Sequence, residues 1–211
     1  MQIVLLFDYD DTLVQTRQCK FAAIKALGKQ LYRVSLSNED IETHWGKPYL
    51  QFFGDLFNAD GMELDRLLQE YERYNDAFPM RPHEDAARMI AALSRRYDCG
   101  IVSSASTRRI KAQLGAMSVD WSRFSYLQGA EATLEHKPDP AVFRPAITTM
   151  RERHGEQVEI TYVGDSYADY CAAHGAGLRF IGIARCETDQ RLMEAAGAQV
   201  INSLDELNRS V

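Results

Sequence analysis

Short apolar runs, each closed by acidic or hydroxyl residues and separated by stretches of helical periodicity, constrain this chain more than any other feature. They fall at Ile3 to Phe7, Cys99 to Val102, Ile160 to Val163, Phe180 to Ala184 and Gln199 to Ile201. Runs of that length without polar alternation read as strands buried on both faces, the condition of a parallel sheet with helices on either side. Between them, Ala86, Met89, Ile90 and Leu93 recur at helical spacing behind Pro82, and Ile110 and Leu114 follow Ser106 and stop at Gly115. The expected fold class is α/β, a Rossmann-like parallel sheet covered by helices.

From about Val14 to Met80 the alternation is interrupted by amphipathic helical patterns with no strand among them. Tyr49, Phe52, Phe53, Leu56 and Phe57 form one apolar face, and Leu64, Leu67, Leu68 and Tyr71 form another. Two such faces bury each other most simply in a small helical bundle inserted into the main domain. Phe78-Pro79-Met80-Arg81-Pro82 marks the return. The expected division is a catalytic core of residues 1–14 and 81–211 and an all-helical insertion of residues 15–80.

Composition narrows the partners. A chain of 211 residues with 45% apolar content buries a real core and needs no disulfide framework. With 24 basic and 30 acidic residues the net charge is −6, so neither nucleic acid nor an anionic membrane surface is an expected partner. An anionic ligand would need local neutralisation. Cys19, Cys99, Cys171 and Cys186 are scattered without a CxxC pair, which fits neither a zinc site nor a disulfide scaffold and suits a reducing, cytoplasmic location. The run Ile3 to Phe7 is too short for a signal peptide or a membrane span. Oligomeric state is not legible.

The chemistry sits where the runs end. The first run passes directly into Asp8-Tyr9-Asp10-Asp11-Thr12. Residues two apart on a strand point the same way, so Asp8 and Asp10 project together beyond its carboxyl end, where open α/β sheets bind ligands. Paired carboxylates repel unless a cation or a shared proton lies between them; the alternative is an acidic turn that merely caps the next helix. Ile160 to Val163 leads into Gly164-Asp165-Ser166-Tyr167-Ala168-Asp169. A helix starting near Ser166 would turn Asp165 and Asp169 toward one cavity, as magnesium ligands or simply as cap and dipole partner. Cys99 to Val102 delivers the hydroxyls of Ser103 and Ser104 at another strand end, an anion site or a helix cap. In His136-Lys137-Pro138-Asp139-Pro140, Pro138 keeps Lys137 out of the helical region while Asp139 and Pro140 start a helix, which holds the ammonium in a defined loop.

In this order, DxDxT, a strand-end Ser, a Lys before a helix and GDSxxD resemble the haloacid dehalogenase superfamily from Phe7 to Asp169. With the helical insertion straight after the first motif, the chain is similar to its phosphoglycolate phosphatase-like group, in which the insertion is a cap domain. The resemblance implies a magnesium-dependent phosphatase acting on a small phosphorylated metabolite through an aspartyl phosphate. Asp8 would be the nucleophile and Asp10 the general acid and base, with Ser103 and Lys137 holding the transferring group. Asp8, Asp10 through its backbone carbonyl, Asp165 and Asp169 would form the metal site. Asp11, Thr12 and Ser104 would bind substrate, the first and last through backbone N–H groups. Gln15 stands where many relatives carry Asp, and the cap lacks the early His common in phosphomutase-like members.

The rival readings differ in the residues they need. A dehalogenase needs neither Asp10 nor a metal, and a non-catalytic phosphate-binding regulator would have lost one of Asp8, Asp10, Lys137 or Asp165; all four are present. A phosphomutase uses the same motifs and differs in its acceptor. Within the insertion, Gly46-Lys47-Pro48 is expected to read the leaving group through Lys47, or else to be an ordinary turn between helices. Hinges are expected near Val14 to Arg17 and Pro79 to Pro82. Trp45, Tyr49, Phe52 and Phe53 would line the substrate space or, the simpler reading, pack the bundle core.

Overall fold

The computed structural model describes residues 2–45, 47, 49–116 and 121–210. The chain forms two compact units, Thr16–Arg81 and a larger one made of Met1–Gln15 with Pro82–Val211.

The smaller unit is helical: α1 Thr16–Leu27, continued by a wider turn at Gly28–Tyr32, then α2 Asn38–Glu42, α3 Tyr49–Phe57 and α4 Gly61–Ala77. Ser37 starts α2 with a reciprocal cap, its hydroxyl accepting from the Asp40 N–H while the Asp40 carboxylate accepts from the Ser37 N–H. Phe21, Ile24, Leu27, Phe52, Phe53, Phe57, Leu67 and Tyr71 fill its core. Phe52 and Phe53 are thus bundle core. Trp45 is half-buried, edge-on to Phe21 at 5.0 Å and to Phe52 at 5.9 Å, with the Arg17 and Lys20 cations over its ring.

The larger unit is a six-stranded, all-parallel sheet: β1 Ile3–Phe7, β2 Asp98–Val102, β3 Tyr126–Gln128, β4 Glu159–Gly164, β5 Arg179–Ile183 and β6 Gln199–Ile201, in the order β3-β2-β1-β4-β5-β6. The connections carry α5 Glu84–Leu93, α6 Thr107–Ala116, α7 Arg144–His154, α8 Tyr167–Gly175 and α9 Glu187–Ala195, and α10 Leu207–Ser210 follows β6. The architecture is the expected Rossmann-like α/β class. Strand ends shift by a residue at β2 and β5, α6 continues one residue past Gly115, and β3 is a strand that the apolar pattern does not reveal.

Alternate residues of β1 enter opposite cores, Leu5 and Phe7 with Ile90, Leu93, Ile110 and Ile181, Val4 and Leu6 with Phe143, Met150, Tyr162 and Ala172. Both faces of the central strand are therefore dry, and its one polar outlet is its carboxyl end. Strand order reverses there, β2 on one side and β4 on the other, which opens a crevice at the ends of β1 and β4.

Candidate active site

Register places the motifs around that crevice. Phe7 pairs with Ile101 of β2 and Val163 of β4, so the residues after each strand leave the sheet side by side. Asp8 N–H extends the ladder by one bond, to the Val163 carbonyl at 2.8 Å. The chain then folds back, Leu13 and Val14 N–H both donating to the Tyr9 carbonyl, through Asp11 in a left-handed conformation at φ 58°. Asp is one of the few side chains that tolerates it. Tyr9 turns into the core, as the alternation requires.

Lys137 is the centre of the charge arrangement. Its Nζ lies 2.5 Å from Asp8 Oδ1 and 2.7 Å from Asp169 Oδ1, with its side chain only 7% exposed. The ammonium also sits 5.1 Å from the centre of the Tyr162 ring, whose hydroxyl donates to the Val102 carbonyl at 2.9 Å and lies 3.3 Å from Asp169 Oδ1. Asp139 caps the helical turn Pro140–Phe143 by accepting from Ala141 N–H, which anchors the loop that carries Lys137.

The cap expected of Asp165 falls to Ser166, and Asp169 closes that cap while also standing in the acidic cluster. Ser166 is the N-cap of α8, and Asp169 Oδ2 accepts from the Ser166 N–H at 3.1 Å and from its hydroxyl at 2.6 Å, while Oδ1 faces Lys137. Gly164 makes this approach possible: a Cβ there would stand 2.7 Å from Asp169 Cβ and Cγ. Asp165 Oδ1 accepts from the Thr12 hydroxyl at 3.0 Å, so Thr12 orients a carboxylate across the crevice.

Asp8, Asp165 and Asp169 are buried, and an oxygen of each lies within 4.8 Å of the others. Burial pushes the Asp8 carboxyl up to about 7; Lys137 pulls it down, and Asp169 and Asp10 push it further up. Burial, then Asp169 and Asp8, raise Asp165 well above the usual carboxylate range. For Lys137 burial opposes the charge, but Asp169 and Asp8 outweigh it and raise the ammonium above its ordinary value. Hard oxygen donors destabilised by their own proximity fit a hard divalent cation.

The remaining expected residues are placed differently. Ser103 is buried at the end of β2, its N–H on the Gln128 carbonyl at 3.0 Å and its hydroxyl accepting from Ala105 N–H at 3.1 Å, while Ser104 is exposed beside it. The Asp10 carboxylate stands apart from the three clustered acids, paired at 2.6 Å with Arg109 of α6. Lys47 forms a local ion pair, 2.6 Å from Asp55 and 3.0 Å from His44 Nδ1 in the helical unit. Gly46 and Pro48 of its loop lie outside the described residues.

Three participants carry no sequence signal of their own. Arg109 is one. The second and third are Asp85 and Arg185, a largely buried pair at 2.8 Å in which Asp85 also accepts from Leu204 N–H and the Ser203 hydroxyl. Burial opposes ionisation of Asp85, but Leu204 N–H and Arg185 overcome it and hold the carboxyl below its ordinary value. Arg185 reaches the Thr12 carbonyl at 3.5 Å, and His83 N–H donates to the Leu13 carbonyl, so this group braces the Asp8 to Thr12 loop from behind. Only the partner across the fold identifies them.

Several known proteins resemble this chain over most of its length. The chain is 26% identical over 183 residues to a protein of Caldanaerobacter subterraneus subsp. tengcongensis named as a candidate pyrophosphatase PpaX, covering 85% of this chain and 80% of that one. It is 26% identical over 218 residues to the phosphoglycolate phosphatase of Mesorhizobium japonicum, covering 97% and 92%. The structure of a Bacillus subtilis protein named as a candidate HAD-hydrolase, YfnB, bound to magnesium superposes with a TM-score of 0.75 at 21% identity, covering 99% of this chain and 97% of that one. The family model described as haloacid dehalogenase-like hydrolase matches residues 5–183, and the chain belongs to that family.

Proposed function

We propose that the protein is a magnesium-dependent phosphatase that hydrolyses a small phosphate monoester through an aspartyl phosphate on Asp8. The observation that carries the reading is the buried Asp8 and Lys137 contact at 2.5 Å, with Asp165 and Asp169 beside it. The names of the two relatives, a pyrophosphatase and a phosphoglycolate phosphatase, support a phosphoryl substrate.

In this mechanism an Asp8 oxygen attacks phosphorus in line, the bond from phosphorus to the ester oxygen breaks, and Asp10 gives its proton to the departing oxygen. Lys137 offsets the Asp8 charge as the anionic substrate approaches and donates to the phosphoryl oxygens as charge moves onto them. The Ser103 hydroxyl and the backbone N–H groups of Asp11 and Ser104 hold the remaining oxygens. Asp10 then takes a proton from water, whose oxygen attacks the aspartyl phosphate and releases orthophosphate and the Asp8 carboxylate. Asp8, Asp165 and the Asp10 backbone carbonyl would hold magnesium, with Asp169 fixing Lys137 and the start of α8. Bound there, the ion supplies charge stabilisation to the phosphoryl group.

Orthophosphate release across a panel of phosphate esters, with and without chelator, tests the reading. Asp8→Asn keeps the shape and removes the nucleophile, so turnover should fall to below about 1% of the parent with the fold intact. Retained turnover in that variant refutes the covalent route, and transfer to a sugar hydroxyl without orthophosphate would make the protein a phosphomutase.

A further inference from the structure

Arg109 occupies a position that local helix stability does not explain. It lies in the first turn of α6, which has no acidic residue in that turn, so the helix dipole disfavours a cation there. Its partner is the Asp10 carboxylate at 2.6 Å, with the two side chains 32% and 30% exposed. An ion pair that open adds little to stability. Lys137, by contrast, is sealed between Asp8 and Asp169.

We infer that Arg109 reads the leaving group, selecting phosphate esters and anhydrides whose leaving group carries a second anionic oxygen. This rests on the proposed function, in which Asp10 touches the departing oxygen. A leaving oxygen hydrogen-bonded to Asp10 stands within roughly 5–7 Å of the Arg109 guanidinium, given hydrogen bonds of ordinary length on each side of the carboxylate. A carboxylate or phosphoryl group two bonds beyond that oxygen comes within direct reach. Guanidinium presents a planar fork of N–H donors matched to either group, of which one engages Asp10 at 2.6 Å. The N-terminal turn of α6 adds positive potential in the same place. The carboxylates of Asp8, Asp165 and Asp169 cluster in the crevice, so a second anion on the substrate needs a cation of its own. In the proposed mechanism Lys137 serves the transferring group, which leaves the departing side to Arg109 beside Asp10.

The test compares 2-phosphoglycolate with its amide, which has the same size and lacks the second charge. In the parent, kcat/KM should favour the carboxylate. In Arg109→Ala the ratio should fall about ten- to a hundredfold, the range for losing a hydrogen bond to a charged group, and the fall should lie mainly in KM. Arg109→Lys, which keeps the charge and loses the fork, should recover part of the ratio, and Arg108→Ala, an exposed neighbour, should not change it. Equal losses on both esters in Arg109→Ala would overturn the inference and leave Arg109 as a positioning residue for Asp10. A comparable change in Arg108→Ala would overturn it too. If neither ester is turned over, calorimetric affinities of the two corresponding methylene phosphonates give the same ratio and decide the matter. Asp8→Asn on the same pair separates the two claims: turnover surviving there refutes the covalent function, whereas an unchanged ratio with Asp8→Asn inactive refutes only the role of Arg109.

Discussion

Replacing Lys137 with Met removes the ammonium while keeping most of the side-chain volume. Lys137 contacts Asp8 at 2.5 Å and Asp169 at 2.7 Å, and the side chains are 7%, 9% and 3% exposed respectively. Removing one partner of a buried ion pair costs roughly 3–5 kcal/mol. For a chain of this length that is a fall in melting temperature of about 6–20 °C. The cost depends on pH, and its sign follows from the carboxylates. Asp8 already titrates near 7 with Lys137 in place, because burial outweighs the cation. A folded-state value raised above about 3.9 means that folding takes up a proton, so the group loses stability as pH rises toward that value. Without Lys137 the loss continues past 7, since buried carboxylates without a cation stay protonated instead of ionising. Melting curves in chelator should therefore show a small gap between parent and variant at pH 5.5 and a large one at pH 8.5. Millimolar magnesium should narrow the gap at pH 8.5. An equal gap at both pH values, or none at either, would refute this account of Lys137 as the charge that allows the acids to coexist.

Two further outcomes follow from the loop supports. His83 has its imidazole pushed down to about 4, by burial first and by Arg185 next. The unfolded chain takes up that proton below about 6.5 and the folded chain does not, so His83 should cost stability as pH falls from about 6.5 toward 4. The slope is at most about 1.4 kcal/mol per pH unit, roughly halved for a partly exposed ring. Urea midpoints at pH 7 and pH 5 should converge in His83→Asn, and an unchanged acid slope would count against the assignment. Gly164→Ala should push Asp169 off its seat, lowering magnesium affinity about tenfold or more by calorimetry while the circular dichroism spectrum stays native. Normal affinity in that variant would show that α8 relaxes at no cost.

Several features of the fold are legible without coordinates. Five of six strands announce themselves as apolar runs because a parallel strand is buried on both faces, and the insertion does so because its periodicity changes to helical. The spacing of Asp8, Asp165, Asp169 and Lys137 at strand ends and helix starts is local chemistry, and local chemistry survives in the sequence. Asp169 shows the limit: along the chain it reads as a dipole partner or a metal ligand with the cap left to Asp165, whereas in space one of its oxygens closes the Ser166 cap and the other faces Lys137.

What tertiary structure alone decided is which distant residues meet. Strand β3 is three residues ending in Gln128, too short and too polar for a pattern, and it is a strand because Gly100 to Val102 of β2 lie alongside it. Phe52 and Phe53 could have lined a pocket or a core until the packing of α1, α3 and α4 buried them. Arg109 meets Asp10 across 99 positions and Arg185 meets Asp85 across 100. Nothing distinguishes Arg109 from Arg108 in the sequence, because the choice depends on the phase of α6 against the sheet. Periodicity records which side of an element is dry, whereas an ion pair between elements depends on register and rotamer. Those are set only when the whole core closes.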